Sequence, residues 1–251
     1  MFLKFFIPKN SSLRFRININ KKILNLKKFK RLFYSQKNNS GRNNSGKITV
    51  RHIGGGLFNF RRKIDLYREY KNIDNKVLAF DIDKKYSSFL GLVKYNNGSY
   101  LYILAPHELI IGQQIGTTFL INEAKIGYSL PLGWMSNNSI INMIETKPCS
   151  GGKYVRSAGV FGTIIMHFDE TVLVKLPSKK LKHFSKYCIA TLGRMSNILH
   201  FLKSYGKAGI SRYYNERPTV RGETMNPIDH PNGGRTRGGK PRKNPWGKII
   251  K

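Results

Sequence analysis

Alternating apolar and polar residues mark the first half of the chain. The segment 61–68 alternates in this way after its basic start, and 77–83, 89–95 and 100–105 are further strand-like segments. Alternation with a period of two predicts strands that turn one face toward a core. Residues 96–99 are two asparagines, a glycine and a serine, which predicts a tight hairpin because these residue types accept positive φ. Short strands at this spacing indicate a small barrel or a sandwich.

A second group of predicted strands follows further along the chain. The segments 139–145, 160–168 and 171–176 are strand-like, and 183–190 is a weaker candidate. Residues 147–153 contain Pro, Ser and Gly, which predicts a loop between two of these strands. We therefore expect a second β cluster.

One segment has helical periodicity instead. Apolar residues at i, i+3, i+4 and i+7 predict a helix at about 195–205, and Gly206 is placed to end it. We expect this apolar face to pack in the core and to have no direct functional role. The residues of the face are Ile198, Phe201, Leu202 and Tyr205.

Two segments have neither pattern. Residues 38–56 are dense in Gly and Asn, with Arg42, Arg51 and His52 among them. Beyond Gly206 the chain is rich in Gly, Pro, Asn and basic residues. Neither segment can bury enough apolar area to fold alone, so we expect a partner to order both. Glycine lets backbone N–H groups approach a phosphate closely; a flexible linker is the alternative interpretation of 38–56.

The charge balance indicates the class of partner. Lys and Arg number 45 and Asp and Glu number 13, which gives a formal net charge of +32. No acidic residue precedes Asp65 and none follows Asp229, so both ends are purely basic. Such an excess repels itself and implies a polyanion, with nucleic acid far ahead of an anionic membrane surface. Merely solvated tails are the alternative, which the recurring Phe, Trp, Pro and Gly disfavour.

The spacing of the cysteines and histidines disfavours a disulfide-stabilised protein and a zinc-binding protein. Cys149 and Cys188 lie in no zinc-ligand spacing, and the histidines show no metalloprotease-like spacing. We therefore expect no disulfide framework and no metal site, and a reducing compartment fits. No apolar run approaches the roughly 20 residues that a membrane-spanning helix needs.

Residues 1–37 carry Lys and Arg but no acid, as mitochondrial presequences do. They are poor in Arg and Ala, however, and rich in Lys, Asn, Ile and Phe. The whole chain shares this bias, which is typical of proteins encoded in AT-rich organellar genomes. We interpret 1–37 as a retained basic extension of an organelle-made protein, in preference to a targeting peptide. The expected location is the mitochondrial matrix and its ribosome, and another organelle or an AT-rich bacterium is the alternative.

Several short motifs follow one another along the chain, beginning with residues 40–49, 51–56 and 102–106. They resemble bacterial-type ribosomal protein L2, the universal large-subunit protein uL2. Residues 40–49 and 51–56 are similar to the amino-terminal signature of that family, and 102–106 is similar to its next landmark. The most specific match is 217–222, followed by 225–227. The resemblance spans roughly 39–248, in order and in register. The other similar stretches are 151–153, 156–159, 190–193, 206–209, 229–231, 233–234 and 245–247.

The resemblance implies a mostly β protein, with an OB-like barrel, then an SH3-like barrel, and extended basic N- and C-terminal arms. It also implies a place near the peptidyl-transferase region and at the subunit interface, with roles in subunit assembly and association. The expected partners are large-subunit rRNA, neighbouring ribosomal proteins and the small subunit, with no membrane span and no cofactor apart from Mg²⁺ that the rRNA holds.

The chain is predicted to divide into five segments. They are a basic N-terminal extension at 1–37, a Gly/Asn-rich RNA-binding arm at 38–59, the OB-like barrel at 60–125, the SH3-like barrel with its short helix at 126–205, and an RNA-threading tail at 206–251.

We expect rRNA to be bound by residues of both arms and by selected residues of the barrels. Arginine can hold a phosphate with two hydrogen bonds, and lysine acts as a point charge. The predicted rRNA-binding residues are Arg42, Arg51, His52, Gly54, Gly55, Gly56, Arg61, Arg62, Lys153, Arg156, Lys207, Arg212, Arg217, Arg221, Asn226, His230, Arg235, Arg237 and Trp246.

The chain departs from the family's pattern at several positions. Leu57 and Phe58 stand where the family usually has His-Lys, so one RNA contact is lost or remodelled. Asn232 stands in place of a second histidine. Residues 233–239 form a purely basic glycine loop in place of an acid-containing one, and the carboxyl tail is short.

Two other functions compete with an RNA-binding structural role. An enzyme could use His230 as a general base beside Asp229, but adjacent residues point in different directions. No nucleophile elbow accompanies them, so we expect no catalysis and interpret His230 as a hydrogen-bond donor to RNA or to its own loop. A free RNA chaperone or translational regulator is the third candidate. The density of family motifs disfavours it, and cosedimentation with large subunits separates the two.

Overall fold

The computed structural model describes residues 3–20, 29–36, 38–56, 59–68, 75–83, 85–117, 125–234 and 241–250. The chain divides into two compact units. The first, here the barrel unit, combines Met1–Lys37 with Phe58–Lys207. The second, here the arm–tail unit, combines Asn38–Leu57 with Ala208–Lys251.

Strands dominate the barrel unit, and the helices of both units are short. The α-helices are α1 (Ser11–Arg14) and α2 (Gly209–Tyr213), and 3-10 helices occupy Lys30–Leu32, Leu132–Trp134, Ile198–Leu202 and Gly222–Thr224. The strands are β1 (Leu3–Phe5), β2 (Ile17–Ile19), β3 (Phe33–Gln36), β4 (Asn59–Arg62), β5 (Asn75–Ile82), β6 (Phe89–Tyr95), β7 (Tyr100–Leu104), β8 (Gln114–Ile115), β9 (Ser129–Pro131), β10 (Ile140–Asn142), β11 (Ile144–Glu145), β12 (Gly152–Tyr154), β13 (Gly162–His167), β14 (Thr171–Lys175), β15 (Leu181–Ser185) and β16 (Ile189–Leu192).

The first barrel is built on a sheet with the strand order β7-β6-β5-β8. Along β5, buried side chains alternate with more exposed ones, as the sequence pattern predicts for a strand with one face on a core. The predicted hairpin at 96–99 is confirmed: the Tyr95 N–H donates to the Ser99 carbonyl at 2.9 Å, and Gly98 takes a φ of +80°. The core of this barrel contains Val77, Phe89, Val93, Tyr95, Ile103, Ala105, Leu109 and Ile115.

The second barrel is built on a sheet with the order β15-β14-β13-β10-β16-β9 and on the ribbon of β11 and β12. The prediction of one strand at 139–145 is wrong, because Met143 takes a φ of +52° and separates β10 from β11. The prediction of one strand at 183–190 is also wrong, because a turn closed by the Cys188 N–H on the Ser185 carbonyl separates β15 from β16. Two successive groups of curled strands confirm the mostly β fold class. The core of this barrel contains Leu130, Leu132, Met135, Ile141, Ile144, Val155, Ile164, Val172, Val174, Phe184, Cys188 and Ala190.

The segment predicted as a helix at 195–205 forms a 3-10 helix of five residues, Ile198–Leu202. Asn197 precedes it in a left-handed conformation, with a φ of 62°. The Ser196 hydroxyl accepts a hydrogen bond from the Phe89 N–H at 3.0 Å. This contact with strand β6 keeps Ser196, just before the 3-10 helix, in a non-helical conformation. Phe201 is 76% exposed, so the expectation that the whole apolar face packs in a core is wrong. Tertiary hydrogen bonds outweigh the local periodicity here.

Residues 3–20 pack on the first barrel. Strands β1 and β2 pair antiparallel, with Leu3 opposite Ile19. Leu3 is buried, and Ile19 packs against the core of the first barrel. Ile17 and Ser204 exchange two backbone hydrogen bonds of 3.1 Å each. This part of the basic N-terminal segment is therefore folded into the barrel unit.

The arm–tail unit has no buried hydrophobic side chain within 38–56, 208–234 and 241–250. Ile228 is 92% exposed and Trp246 is 78% exposed. Hydrogen bonds, instead of an apolar core, hold this unit together. That fits the sequence-based expectation that the arm and the tail bury too little apolar area to fold alone. Their ordering by a partner stays a prediction.

Candidate nucleic-acid interface

The arm and the tail meet through their backbones at a site that we call the arm–tail junction. It comprises Asn38, residues 52–56 and residues 215–218. The Gly54 N–H donates to the Asn215 carbonyl at 3.1 Å, and the Arg217 N–H donates to the His52 carbonyl at 2.9 Å. The His52 Nδ1 lies 3.2 Å from the Pro218 carbonyl oxygen. Because that oxygen can only accept, Nδ1 carries the proton, and the His52 side chain is engaged within the protein.

Two asparagine side chains complete the junction. The amides of Asn38 and Asn215 donate to each other, at 2.8 and 3.1 Å. The Asn38 amide also donates to the Gly55 carbonyl at 2.7 Å. Neither asparagine was among the predicted site residues. The available signal was weak: asparagine accepts left-handed backbone conformations, and Asn215 has a φ of 72°.

The glycine triplet has protein neighbours in this arrangement. Gly56 has a φ of +88°, and a Cβ added to it would lie 3.0 Å from the Asn215 backbone nitrogen. A Cβ on Gly54 would lie 3.1 Å from the Arg217 side chain. The close approach that requires glycine is therefore made to the tail. The predicted contact of the triplet with RNA backbone stays a prediction.

The predicted cations of the arm–tail unit face solvent to different degrees. Arg42, Arg51, Arg217 and Arg221 are exposed. Arg212 is half-buried, and its guanidinium donates to the Glu216 carbonyl at 2.8 Å. In the described part of this unit, no carboxylate forms an ion pair with any of these cations. Their charge is available to an external anion.

His230 is buried in a compact loop of the tail. Its Nδ1 accepts a hydrogen bond from the Asn232 N–H at 3.0 Å, so the proton of the neutral ring is on Nε2. Gly222 lies against the ring, and any Cβ there would collide with it. The Asn226 carbonyl accepts from the N–H groups of Asp229 and His230, at 3.0 and 3.2 Å. Asn226 thus contributes through its backbone, while its side chain is exposed.

A cleft of about 330 Å³ opens beside this loop. Asn232 links the loop of His230 to the segment after residue 240 across this cleft, because the Asn232 side-chain oxygen accepts a hydrogen bond from the Lys243 N–H at 3.2 Å. Asn232 thus supplies a hydrogen-bonding side chain at the position where the resemblance implies a histidine. Trp246 follows the cleft residues and is exposed. The cleft is lined by Arg221, Gly222, Glu223, His230, Asn232, Arg242, Lys243, Asn244, Pro245 and Ile250.

Arg61 and Arg62 are engaged within the first barrel. The Arg61 guanidinium lies 3.1 Å from the Asp83 carboxylate, and that of Arg62 donates to Asp81 at 2.9 and 3.1 Å. The side chains of Asp81 and Asp83 are 2% and 1% exposed. Burial raises the pKa of Tyr102, so its hydroxyl stays protonated and donates to Asp81 at 3.3 Å. Both arginines neutralise buried carboxylates, and their predicted contact with rRNA stays a prediction.

The remaining predicted residues are scattered. Lys153 is exposed on β12, Arg156 is half-buried after it, and Lys207 is exposed at the end of the barrel unit. Arg235 and Arg237 lie outside the described residues. The structure brings together the arm and tail residues, and it does not bring the barrel residues into one cluster.

No helix among the described residues combines the length and hydropathy needed to cross a bilayer. No group of three or more His, Cys, Asp or Glu residues among them is arranged to hold a metal ion.

The chain matches the models of both domains of one protein family, and two uL2 proteins are among its relatives. The model of the RNA-binding N-terminal domain of ribosomal proteins L2 matches residues 29–117, and that of the C-terminal domain matches 125–247. The chain is 38% identical to the large ribosomal subunit protein uL2 of Methylocella silvestris over 255 residues, covering 100% of this chain and 91% of that protein. It is 41% identical to uL2 of Wigglesworthia glossinidia brevipalpis over 236 residues, covering 93% and 85%.

The matches to both L2 domain models and to uL2 relatives show an rRNA-binding protein of the ribosome, and the exposed cations of the arm–tail unit fit that class. Both domain models match in sequence order and together account for most of the chain. The chain belongs to the ribosomal protein L2 family of bacterial type. It is a structural protein of the large ribosomal subunit, and its partners are rRNA and other ribosomal proteins.

Proposed function

We propose that the chain braces large-subunit rRNA near the peptidyl-transferase region and supports subunit assembly and association with the small subunit. The observation that carries this proposal is the arm–tail unit. In its described part, Arg42, Arg51, Arg217 and Arg221 are exposed without a carboxylate partner, and no hydrophobic side chain is buried. RNA phosphates supply the missing counter-charge and accept hydrogen bonds from exposed N–H groups. The barrels recognise RNA by shape, because rigid protein surfaces fit the wide minor groove of RNA helices.

The proposal gives the chain no catalytic group in peptide transfer. The Nδ1 of His230 already accepts the Asn232 N–H, and Nε2 carries the proton. A general base needs an unprotonated atom within hydrogen-bond reach of its substrate. His230 instead holds the loop around Gly222 and offers one donor. The proposal includes no cofactor beyond Mg²⁺ that the rRNA holds.

The His230→Ala variant tests the structural role against a catalytic one. Purified particles are compared in single-turnover peptide transfer, with rates normalised to the amount of protein incorporated. We expect weaker assembly or subunit joining and a nearly normal transfer rate in particles that do assemble. A loss of about two orders of magnitude or more at full occupancy, the usual size for a lost general base, would overturn the proposal. His107→Ala, a histidine of the barrel unit, is the matched control.

The proposed location is the mitochondrial ribosome. The support is the bias toward Lys, Asn, Ile and Phe along the whole chain. The basic composition of residues 1–37 does not support a mitochondrial location, because the alignment with the bacterial relative covers these residues too. Cosedimentation with large subunits from purified mitochondria is the expected result. A gene in a bacterial chromosome would contradict this location, and a gene in the nucleus would contradict synthesis within the organelle.

A further inference from the structure

The hairpin of β14 and β15 in the second barrel is rich in lysine. Between Thr171 and Ser185 there are four lysines and no Asp or Glu. None of them was among the residues predicted to bind rRNA. The four lysines are Lys175, Lys179, Lys180 and Lys182.

One lysine of this hairpin has a clear intramolecular role. The Lys182 ammonium lies 4.4 Å from the centroid of the Tyr154 ring and 5.3 Å from that of Phe184. The other three lysines, at 175, 179 and 180, are exposed. No carboxylate in the described ranges forms an ion pair with them. We call Lys175, Lys179 and Lys180 the lysine tip.

Lys179 occupies a backbone position that disfavours lysine. Its φ is +65°. Two hydrogen bonds fix this turn, from the Lys179 N–H to the Leu176 carbonyl at 2.8 Å and from the Leu176 N–H to the Lys180 carbonyl at 2.9 Å. A left-handed position strains any residue with a Cβ and suits glycine. Backbone strain lowers the stability of the fold, so a strained lysine at an exposed turn indicates that its side chain has a function.

The hairpin presents these charges from a rigid base. Strands β14 and β15 pair in register over five residues. Val172 and Val174 are fully buried, and Phe184 is 3% exposed. Loose tails lose conformational entropy when they bind, whereas cations on a packed hairpin are already positioned.

We propose that the lysine tip binds phosphates of large-subunit rRNA, a contact additional to those of the arm–tail unit. This inference rests on the proposed function. Lysine binds phosphate as a point charge and needs no fixed geometry, which suits three ammonium groups around one turn. RNA is favoured over an acidic protein because the whole chain carries +32 and belongs to an rRNA-binding family.

The test uses two substitutions of Lys179 in the full chain. Lys179→Gly removes both the charge and the strain, whereas Lys179→Gln removes only the charge. We expect Lys179→Gly to raise the Tm by about 2 to 4 °C and Lys179→Gln to leave it unchanged. Both should weaken binding to deproteinised large-subunit rRNA and reduce the slope of log K against log salt by about 0.7 to 0.9.

Lys94→Gln is the matched control, because Lys94 is an exposed lysine of β6 and the variant has the same net charge. Equal losses for the Lys94 and Lys179 variants would overturn the proposal, because they would reflect net charge alone. Unchanged rRNA binding with lower occupancy in particles would overturn it in favour of an acidic protein partner. A wild-type chain that fails to bind rRNA would instead overturn the proposed function.

Labelling of lysine amines gives a test without mutation. In intact large subunits, Lys179 and Lys180 should be protected from an amine-reactive reagent that modifies them in the isolated protein. Equal labelling of both lysines in the particle and in isolation would contradict the proposed contact.

Discussion

The carboxylate of Asp81 is almost wholly buried, and groups close around it compensate its charge. Arg62 donates two hydrogen bonds to it, and the Tyr102 hydroxyl donates a third. Removing one partner of a buried ion pair leaves an uncompensated charge in a medium of low polarity. Arg62 therefore has a structural role that is separate from any contact with rRNA.

We expect Arg62→Ala to lower the free energy of unfolding by about 3 to 5 kcal/mol, because Asp81 would remain buried without its cation. Urea unfolding followed by circular dichroism measures the loss. Lys94→Ala, at an exposed position, should stay within about 0.5 kcal/mol of the wild type. A loss below about 1 kcal/mol for Arg62→Ala would show that water or another cation takes its place.

The role of these arginines could not be predicted from the sequence. Arg62 and Asp81 are 19 positions apart, and Arg61 and Asp83 are 22 apart. Two neighbouring arginines have the same appearance in a sequence whether their charge meets RNA or a buried carboxylate. Strand β4 pairs with β3 and not with β5, so the tertiary packing of β4 against β5, and not a sheet register, brings Arg62 to Asp81.

At the scale of elements, strands were predictable where a strong turn signal bounded them. The turn signal at 96–99 defined both neighbouring strands, because Gly98 supplies the positive φ that the turn needs. Met143 gave no such signal, since methionine rarely takes a positive φ, and so the division between β10 and β11 was missed. The pairing of the arm with the tail was missed for a related reason: it depends on hydrogen bonds between distant segments that carry no periodic pattern.

Asn215 allows a test of that pairing in the isolated protein. Replacement by Gly keeps the positive φ and removes two side-chain hydrogen bonds, each of about 1 kcal/mol. The Gly54 amide donates to the Asn215 carbonyl, so its hydrogen exchange should become faster on the order of tenfold. Asn215→Ala adds strain at the same position and should accelerate exchange further.

Asn244→Ala, in a separate turn of the tail, is the control for this experiment. It should leave the exchange of Gly54 unchanged. A Gly54 amide that already exchanges at the unprotected rate in the wild type would show that the junction does not form before RNA binds.

At the scale of the whole molecule, the charge of +32 should dominate binding. A protein that contacts six to ten phosphates loses on the order of 10³ to 10⁵ in affinity between 50 and 200 mM salt. We expect a loss of this size for the isolated chain and large-subunit rRNA, measured by filter binding across a salt series. Affinity that stays constant over this range would contradict an electrostatic mechanism and favour recognition by shape alone.

The arm–tail junction joins residues that lie far apart in synthesis. Asn38 and Asn215 are 177 positions apart, so a ribosome adding 5 to 20 residues per second makes the second about 9 to 35 s after the first. Throughout that interval the arm has no tail to pair with. A chain that terminates before Asn215 never obtains one, and its glycine triplet and His52 stay without their protein partners. The final conformation of the arm therefore depends on synthesis through residue 218, which makes an early segment of the chain wait for a late one.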